Sequence, residues 1–135
     1  MSYKILVVDD DKDITETVAA RLAREGYEVA VAFDGEEALQ KVEEAHPDVV
    51  LLDLVMPKRN GFEVLVEIRK RHSDRWIPVI IVSAQADLDS VKKSYVQDAD
   101  HYLTKPCTIE HILTGIRTMV SLIPARMKGK NELSV

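Results

Sequence analysis

The chain of 135 residues is 46% hydrophobic and 30% charged, which is typical of one globular domain large enough for a real core. Its net charge of −5 disfavours nucleic acid as a direct partner, because phosphate binding requires a basic face. No apolar stretch approaches the ~20 residues of a membrane helix, no signal-peptide layout is present and the one cysteine cannot form an internal disulfide, so we expect a cytoplasmic protein.

Five short runs of mostly apolar residues predict buried strands. The third run, Val49-Val50-Leu51-Leu52, leads directly into Asp53, and Pro57 follows soon after. Fully apolar runs of this length are typical of parallel strands that are covered on both faces. In chain order the predicted strands cover residues 3–8, 29–32, 49–52, 79–82 and 101–104.

Segments with apolar residues at helical spacing predict a helix after each strand. The first helix follows Asp11 and ends at Gly26, and the last ends at Pro124. The three between them cover residues 36–44, 62–72 and 87–97.

Specific residues of these helices are expected to face the core. Asn60-Gly61 is expected to form a turn before the third helix. The expected inward residues are Ile14, Val18 and Leu22 in the first helix, Ala38, Leu39 and Val42 in the second, and Leu88, Val91 and Tyr95 in the fourth.

The alternation of strands and helices predicts an α/β fold of the (βα)5 type. Such a chain forms a doubly wound, five-stranded parallel sheet with helices on both faces. One domain is expected over residues 1–124, followed by a short polar tail at residues 125–135 that is expected to fray.

Polar side chains follow four of the five predicted strands. Asp9 and Asp10 follow the first, Asp53 the third, Ser83 the fourth and Lys105 the fifth. Because the carboxyl ends of parallel strands share one edge, we expect these side chains to meet there. Two carboxylates ~4 Å apart repel by ~4 kcal/mol at an effective dielectric of about 20, so the acids should hold a proton or bind a cation. All-oxygen ligands favour Mg²⁺.

A carboxylate beside Mg²⁺, a lysine and a hydroxyl is suited to receiving a phosphoryl group. The carboxylate of Asp53 would attack phosphorus and form an acyl phosphate. The metal and Lys105 would neutralise the charge on the phosphoryl oxygens, and Ser83 would donate a hydrogen bond to one of them.

Four motifs resemble the receiver domain of two-component response regulators. They appear in order and at family spacing, and the resemblance covers about residues 3–123. It implies a flavodoxin-like sheet order of 2-1-3-4-5. The motifs are Ile5-Leu6-Val7-Val8-Asp9-Asp10-Asp11, Asp53 with Met56-Pro57 and Asn60-Gly61, Pro78-Val79-Ile80 through Ser83-Ala84, and Tyr102-Leu103-Thr104-Lys105-Pro106.

The resemblance assigns a role to each residue of the acidic edge. It implies that Asp53 is the phosphoacceptor, charged from a phosphohistidine on a sensor histidine kinase or a histidine phosphotransfer protein. It further implies that Asp10 binds Mg²⁺ directly, Asp9 binds it through water, and the backbone carbonyl of Val55 is another ligand. By the same resemblance, Lys105 holds a phosphoryl oxygen.

The family also has a switch, which the resemblance places on Ser83 and Tyr102. The hydroxyl of Ser83 is implied to move toward the phosphoryl group while Tyr102 turns inward. The signal would then reach an unknown downstream protein through the face made by the fourth helix, fifth strand and fifth helix. In this family the Lys105-Pro106 bond is often cis, which a sequence alone does not show.

Departures from the family pattern occur around the fifth strand. Asp98 stands where relatives usually have glycine, and aspartate tolerates a left-handed backbone better than most residues. His101 replaces a familiar acid, which puts in doubt the charged dimer contacts of DNA-binding relatives. Cys107 replaces an aromatic residue and is expected to pack as a small apolar side chain rather than to react.

The expected activity is limited to the protein's own phosphorylation and slow dephosphorylation. Val55 and Gln85 are expected to flank the approach of water to the acyl phosphate and to lengthen its lifetime, because neither side chain can act as a base. An alternative is a Mg²⁺-dependent phosphatase of the haloacid dehalogenase type, but that family needs an acid at the position of Val55. A nucleotide-binding flavodoxin-like domain is disfavoured because no glycine-rich loop follows the first strand.

Overall fold

The computed structural model describes residues 2–56, 58, 60–85 and 87–133, and for residues 125–133 it describes the backbone alone. Pro57, part of one sequence motif, and the last two tail residues therefore lie outside the described residues. The elements in chain order are β1 (Lys4–Val8), α1 (Lys12–Arg24), β2 (Glu28–Ala32), α2 (Gly35–Ala45), β3 (Val49–Leu52), α3 (Gly61–Arg71), β4 (Val79–Ser83), α4 (Leu88–Val96), β5 (His101–Thr104) and α5 (Ile109–Leu133).

The five strands form one parallel sheet in the order β2-β1-β3-β4-β5, which confirms the predicted (βα)5 fold. Val8 at the end of β1 pairs with Leu52 at the end of β3. Asp9 and Asp53 therefore leave the sheet side by side. Ser83 ends β4 on the other side of β3, so the register brings the polar strand ends to one edge.

The strands bury both of their faces, and the core consequently has two layers. Leu6 and Val8 of β1 belong to the layer that includes the apolar residues of α2 and α3. Ile5 and Val7 point the other way and belong to the layer under α1 and α5. This alternation explains why the strands read as continuous apolar runs rather than as alternating ones.

All five helices begin at a capping side chain that accepts a backbone N–H from their first turn. Asn60 is one of these caps, and its side-chain oxygen accepts the N–H of Glu63 at 3.0 Å. The predicted turn at Asn60-Gly61 is therefore wrong, because the same residues start α3. The five caps are Asp11, Asp34, Asn60, Asp87 and Thr108.

Two predictions about the backbone are confirmed, one for Gly26 at the end of α1 and one for Asp98 before β5. Gly26 has a φ of 97° just after α1, where a residue without a side chain avoids strain. Asp98 has a φ of 65° in the turn between α4 and β5, as expected for an aspartate at the position of the family's glycine.

The predicted inward stripe is right in α2 but partly wrong in α1. Ala38, Leu39 and Val42 are all buried in α2. In α1 the buried residues are Thr15, Val18 and Leu22, whereas Ile14 is 39% exposed. Thr15 can replace Ile14 on the inner face because its hydroxyl donates to the backbone carbonyls of Asp9 and Asp11.

The predicted stripe of α4 is wrong. Leu88 is 65% exposed and Tyr95 47% exposed, while Val91 is half-buried. The buried residue of this helix is Ser94, whose hydroxyl donates to the carbonyl of Ser90 at 3.0 Å. A small side chain that satisfies its own hydroxyl within the helix can lie against the sheet, and the larger apolar side chains then face outward.

The last helix is longer than predicted. Its apolar residues Ile112, Leu113, Ile116 and Met119 are buried. Pro124, predicted to end the helix, lies inside it, and the backbone of the predicted tail is helical as far as Leu133. A proline removes one intrahelical hydrogen bond, and the residues that follow it include the good helix formers Ala, Arg, Met and Lys. In the part of the chain described, no helix is both long enough and apolar enough to cross a membrane.

Candidate functional site

Three carboxylates meet at the carboxyl edge of the sheet. Asp9, Asp10 and Asp53 each offer an oxygen, and these oxygens lie within 4.8 Å of one another; we call this group the acidic cluster. Asp9 and Asp53 are buried, while Asp10 is exposed. The predicted convergence of these acids is therefore confirmed, with Asp10 on the outer side.

Backbone N–H groups orient the two buried carboxylates. The N–H of Asp11 donates to Asp9 Oδ1 at 2.9 Å, and the N–H of Val55 donates to Asp53 Oδ1 at 3.2 Å. In each case the donor lies two residues after the acid, so the loop after the strand folds back over its own carboxylate. The second oxygen of each acid is left for other partners.

Lys105 supplies the positive charge of the site. Its Nζ lies 2.6 Å from Asp9 Oδ2 and 3.3 Å from Asp53 Oδ2, so one ammonium bridges the two buried acids. Burial lowers the pKa of Lys105, but its hydrogen bond to Asp9 and the nearby negative charges outweigh burial and raise that pKa overall. The ammonium is therefore held firmly in its charged form. The Lys105-Pro106 peptide bond is cis.

The electrostatics of Asp53 differ from those of an exposed aspartate. Burial raises the pKa of its carboxyl, and the negative charge of Asp9 adds to this effect. The Val55 N–H and the Lys105 ammonium oppose the rise but do not cancel it. Asp53 is thus a partly desolvated carboxylate, and its charged form would gain from additional positive charge.

The hydroxyl residues of the site form a second group beside the acidic cluster. Ser83 is fully buried, and its Oγ accepts the N–H of Gln85 at 3.3 Å. The phenol of Tyr102 donates to the carbonyl of Gln85. Burial raises the pKa of Tyr102, and a hydrogen bond with Ser83 opposes the rise. Ser83 and Tyr102 therefore meet at Gln85, whereas no hydrogen bond joins Ser83 to the acidic cluster in the described part of the chain.

Val55 and Cys107, both singled out in the sequence, lie outside the acidic cluster and differ in burial. Val55 is 56% exposed at the rim of the acidic cluster, consistent with a position beside the approach to Asp53. Cys107 is partly buried and packs against the core layer under α1 and α5. Burial raises the pKa of its thiol, so it is poorly suited to react as a thiolate.

The donor set of the acidic cluster fits a hard divalent cation. The cluster contains carboxylate oxygens, and the described residues show no group of His and Cys ligands around them. Oxygen ligands on a partly exposed edge, with room for water, suit Mg²⁺ better than a soft transition metal.

Sequence reasoning missed two residues that position the site. Gly61 lies against the backbone of the loop after β3: an added Cβ would stand 2.6 Å from Leu54 Cα and even closer to the carbonyl oxygen of Asp53. Its N–H also donates to the Leu54 carbonyl at 2.9 Å. Thr15 is fully buried and its hydroxyl fixes the carbonyl of Asp9. Gly61 was noted only as part of the Asn60-Gly61 motif, and the sequence signals neither its close approach to the backbone nor the role of Thr15.

Known proteins resemble this chain over most of its length. A family profile described as the response regulator receiver domain matches residues 5–117. Response regulator RR06 of Streptococcus pneumoniae serotype 2 is 40% identical over 116 residues, which make up 86% of this chain and 52% of that protein. The chain thus spans about half the length of this curated relative.

Solved structures show the same architecture. A CheY-like response regulator receiver domain protein from Methanospirillum hungatei superimposes with a TM-score of 0.88 at 29% identity, covering 93% of this chain and 99% of that one. For the chemotaxis protein CheY4 of Vibrio cholerae the TM-score is 0.82 at 30% identity, with 88% and 99% of the two chains covered.

Proposed function

Because this chain belongs to the response regulator receiver domain family, which acts in two-component signalling under the control of phosphorylation, we propose that Asp53 is its phosphoacceptor. The donor would be a phosphohistidine of a sensor histidine kinase or a histidine phosphotransfer protein. The observation that carries the proposal is the Lys105 ammonium, which lies 3.3 Å from Asp53 and 2.6 Å from Asp9. It supplies positive charge where a phosphoryl group on Asp53 would place negative charge.

The proposed reaction is a displacement at phosphorus. An oxygen of Asp53 forms a bond to phosphorus as the bond between phosphorus and the donor imidazole nitrogen breaks, and that nitrogen keeps the electron pair. The Val55 N–H holds Asp53 Oδ1, which leaves Oδ2 on the side of Lys105 as the attacking atom. Lys105 then transfers its contact from the carboxylate to a phosphoryl oxygen.

Mg²⁺ is the proposed cofactor. Asp9, Asp10 and Asp53 would hold it, together with the backbone carbonyl of Val55. When bound, it supplies positive charge to the phosphoryl oxygens during transfer. The support for this assignment is the close approach of three carboxylates with one ammonium among them, which leaves the acidic cluster with excess negative charge.

The proposed output is a change of surface rather than turnover of a substrate. We expect the protein to catalyse only its own phosphorylation and slow dephosphorylation, with Val55 and Gln85 flanking the approach of water. The contacts of Ser83 and Tyr102 with Gln85 support a switch that acts on the face made by α4, β5 and α5. A downstream protein would recognise this face.

The direct test is incubation with acetyl phosphate and Mg²⁺, followed by intact mass measurement and peptide mapping. The wild-type protein should gain one phosphoryl group, on the peptide that contains Asp53. Asp53→Asn should gain none there, while Asp13→Asn, which alters an exposed acid of α1, should be labelled like the wild type. Labelling of Asp53→Asn to the same extent would overturn the assignment.

A further inference from the structure

Helix α4 is attached to the domain differently from the other helices. The other four bury apolar residues, such as Val18 and Leu22 in α1 or Leu113 and Ile116 in α5. The buried residue of α4 is Ser94. Since this helix buries little apolar surface, its polar contacts supply a larger share of the free energy that holds it in position.

A continuous run of hydrogen bonds joins α4 to the end of β4. Ser83 Oγ accepts the N–H of Gln85 at 3.3 Å, and Gln85 Oε1 accepts the hydroxyl of Ser90 at 3.4 Å. The carbonyl of Ser90 accepts the hydroxyl of the buried Ser94 at 3.0 Å. We call Ser83, Gln85, Ser90 and Ser94 the polar chain.

Gln85 is the branching point of the polar chain. Its N–H contacts Ser83, its carbonyl accepts the phenol of Tyr102 and its side chain contacts Ser90. One residue therefore touches the buried hydroxyl beside the acceptor site, the aromatic side chain and the first turn of α4. Any displacement of Ser83 or Tyr102 acts on the loop from which the Gln85 side chain extends.

Ser90 has one hydroxyl proton and two acceptors for it. Its Oγ lies 2.9 Å from Oδ1 of the capping residue Asp87 and 3.4 Å from Oε1 of Gln85. The N–H of Ser90 donates to the other oxygen of Asp87 at 2.9 Å, so the cap survives if the hydroxyl turns away. A small displacement of Gln85 can therefore change the partner of the hydroxyl without unwinding the helix.

We propose that Gln85 and Ser90 are positioning residues that couple the acceptor site to α4 through the polar chain. The proposal rests on the proposed function for the event that moves Ser83. It adds a route from Gln85 to α4 through Ser90, a residue that the sequence did not single out. In this scheme the Gln85 side chain has a structural role separate from any effect on water near Asp53.

The first test measures hydrogen exchange in the resting, metal-free protein. Ser90→Ala removes the hydroxyl, and Gln85→Met removes the amide acceptor but keeps the backbone contacts. Each variant should exchange the amides of residues 92–96 about two- to tenfold faster than the wild type, while the amides of α5 are unchanged. Because both variants break the same contact, the double variant should exchange no faster than the faster single one.

The control is Ser121→Ala on α5, where an exposed serine donates to the Thr118 carbonyl at 2.7 Å and has no contact with the polar chain. Alanine is the better helix former, so a purely local effect would slow exchange or leave it unchanged. Because Ser90→Ala also loses the contact with Asp87, the deciding result is faster exchange in Gln85→Met together with no further increase in the double variant. Unchanged exchange in both single variants, or additive effects in the double variant, would overturn the proposal.

The second test adds Mg²⁺ and beryllofluoride, a mimic of the phosphoryl group, and follows backbone amides by NMR. In Ser90→Ala the response of residues 88–91 should fall by at least about half, while Leu54 and Val55 beside the acceptor respond as in the wild type. Ser90→Thr, which keeps a hydroxyl, should restore the response of α4. A full response of α4 in Ser90→Ala would overturn the coupling. If Leu54 and Val55 of the wild type did not respond, the proposed function would fail, and the exchange measurement would still decide whether the polar chain holds α4.

Discussion

At the scale of single residues, the position of Asp53, the proposed phosphoacceptor, depends on Gly61, which has no side chain. The loop after β3 passes so close to the start of α3 that Gly61 meets the backbone of Asp53 and Leu54 directly. Backbone atoms cannot rotate away as a side chain can. The position of Asp53 relative to Lys105 is therefore fixed in part by an absent Cβ.

Gly61→Ala should destabilise the protein and impair phosphorylation together. Its Cβ would overlap the Leu54 Cα at 2.6 Å, and relief requires displacement of the loop after β3 that carries Asp53. We expect a loss of about 1–3 kcal/mol in the free energy of unfolding, measured with urea, and slower labelling by acetyl phosphate.

Gly115→Ala is the matched control, because Gly115 also lies in a helix and is also buried. Its Cβ would meet only side-chain atoms of His101 and Ile80, each at 3.5 Å, which is an ordinary contact. Alanine is also the better helix former, so this variant should be stabilised by about 0.5–1 kcal/mol. Equal stability changes in the two variants would show that the close approach of Gly61 has no energetic importance.

The identity of the charged residues that meet at the site was its most predictable part. Asp9, Asp10, Asp53 and Lys105 follow strands, and the geometry of a parallel sheet brings strand ends together whatever the details of the helices. Contacts made through a hydroxyl or through a missing Cβ were not predictable. They depend on distances of a few tenths of an ångström between segments that are remote in the sequence, as with Gly61 and the backbone of Asp53.

At the scale of elements, α4 is the helix whose surface differs most from what its sequence pattern predicts. The spacing of Leu88, Val91 and Tyr95 fits an inward stripe, yet Leu88 and Tyr95 face outward. Periodicity identifies an apolar face but not the direction in which it points. In α2 and α5 a wide, fully apolar face leaves no alternative, whereas in α4 the small Ser94 competes successfully for the inner position.

This orientation predicts how two leucines differ. Leu88→Ala in α4 should change the free energy of unfolding by less than about 0.5 kcal/mol, since the side chain is 65% exposed. Leu113→Ala in α5 should cost about 2–5 kcal/mol, because Leu113 is fully buried. Leucine and alanine have similar helix propensities, so the comparison measures burial. Chemical denaturation of both variants checks it, and a cost at Leu88 as large as that at Leu113 would contradict the outward orientation of α4.

At the scale of the whole molecule, folding gathers more negative charge at one edge than Lys105 can balance. Mg²⁺ that binds the folded acidic cluster but not the unfolded chain must stabilise the fold. At a concentration tenfold above its dissociation constant, the gain is about 1.4 kcal/mol. Thermal unfolding of the wild type at increasing Mg²⁺ concentrations should show this gain.

Because burial raises the pKa of Asp53, protons should begin to compete with Mg²⁺ at a higher pH than for an ordinary aspartate, and the gain should be lost on acidification.

Asp10→Asn should separate two effects of the crowded carboxylates, which are destabilisation of the metal-free fold and binding of Mg²⁺. In metal-free buffer its melting temperature should equal or exceed that of the wild type, since one of three crowded carboxylates is removed. Added Mg²⁺ should then raise it little. Asp13 lies in the first turn of α1 and outside the acidic cluster, so Asp13→Asn should keep the wild-type response to Mg²⁺. A clearly lower melting temperature of metal-free Asp10→Asn would contradict the crowding of these acids.

The bridge from Lys105 to Asp9 spans 96 positions of the chain, and this separation has a consequence for biosynthesis. During translation the strands that bear Asp9 and Asp53 leave the ribosome well before Lys105 does. Until β5 pairs with β4, the nascent domain therefore contains Asp9 and Asp53 without the positive charge of Lys105. Pairing of β5 adds the last strand of the sheet and brings Lys105, which follows it, to these acids. With Asp53 as the proposed phosphoacceptor, we therefore expect competence to receive a phosphoryl group to arise only when this final strand is in place and Lys105 lies beside Asp53.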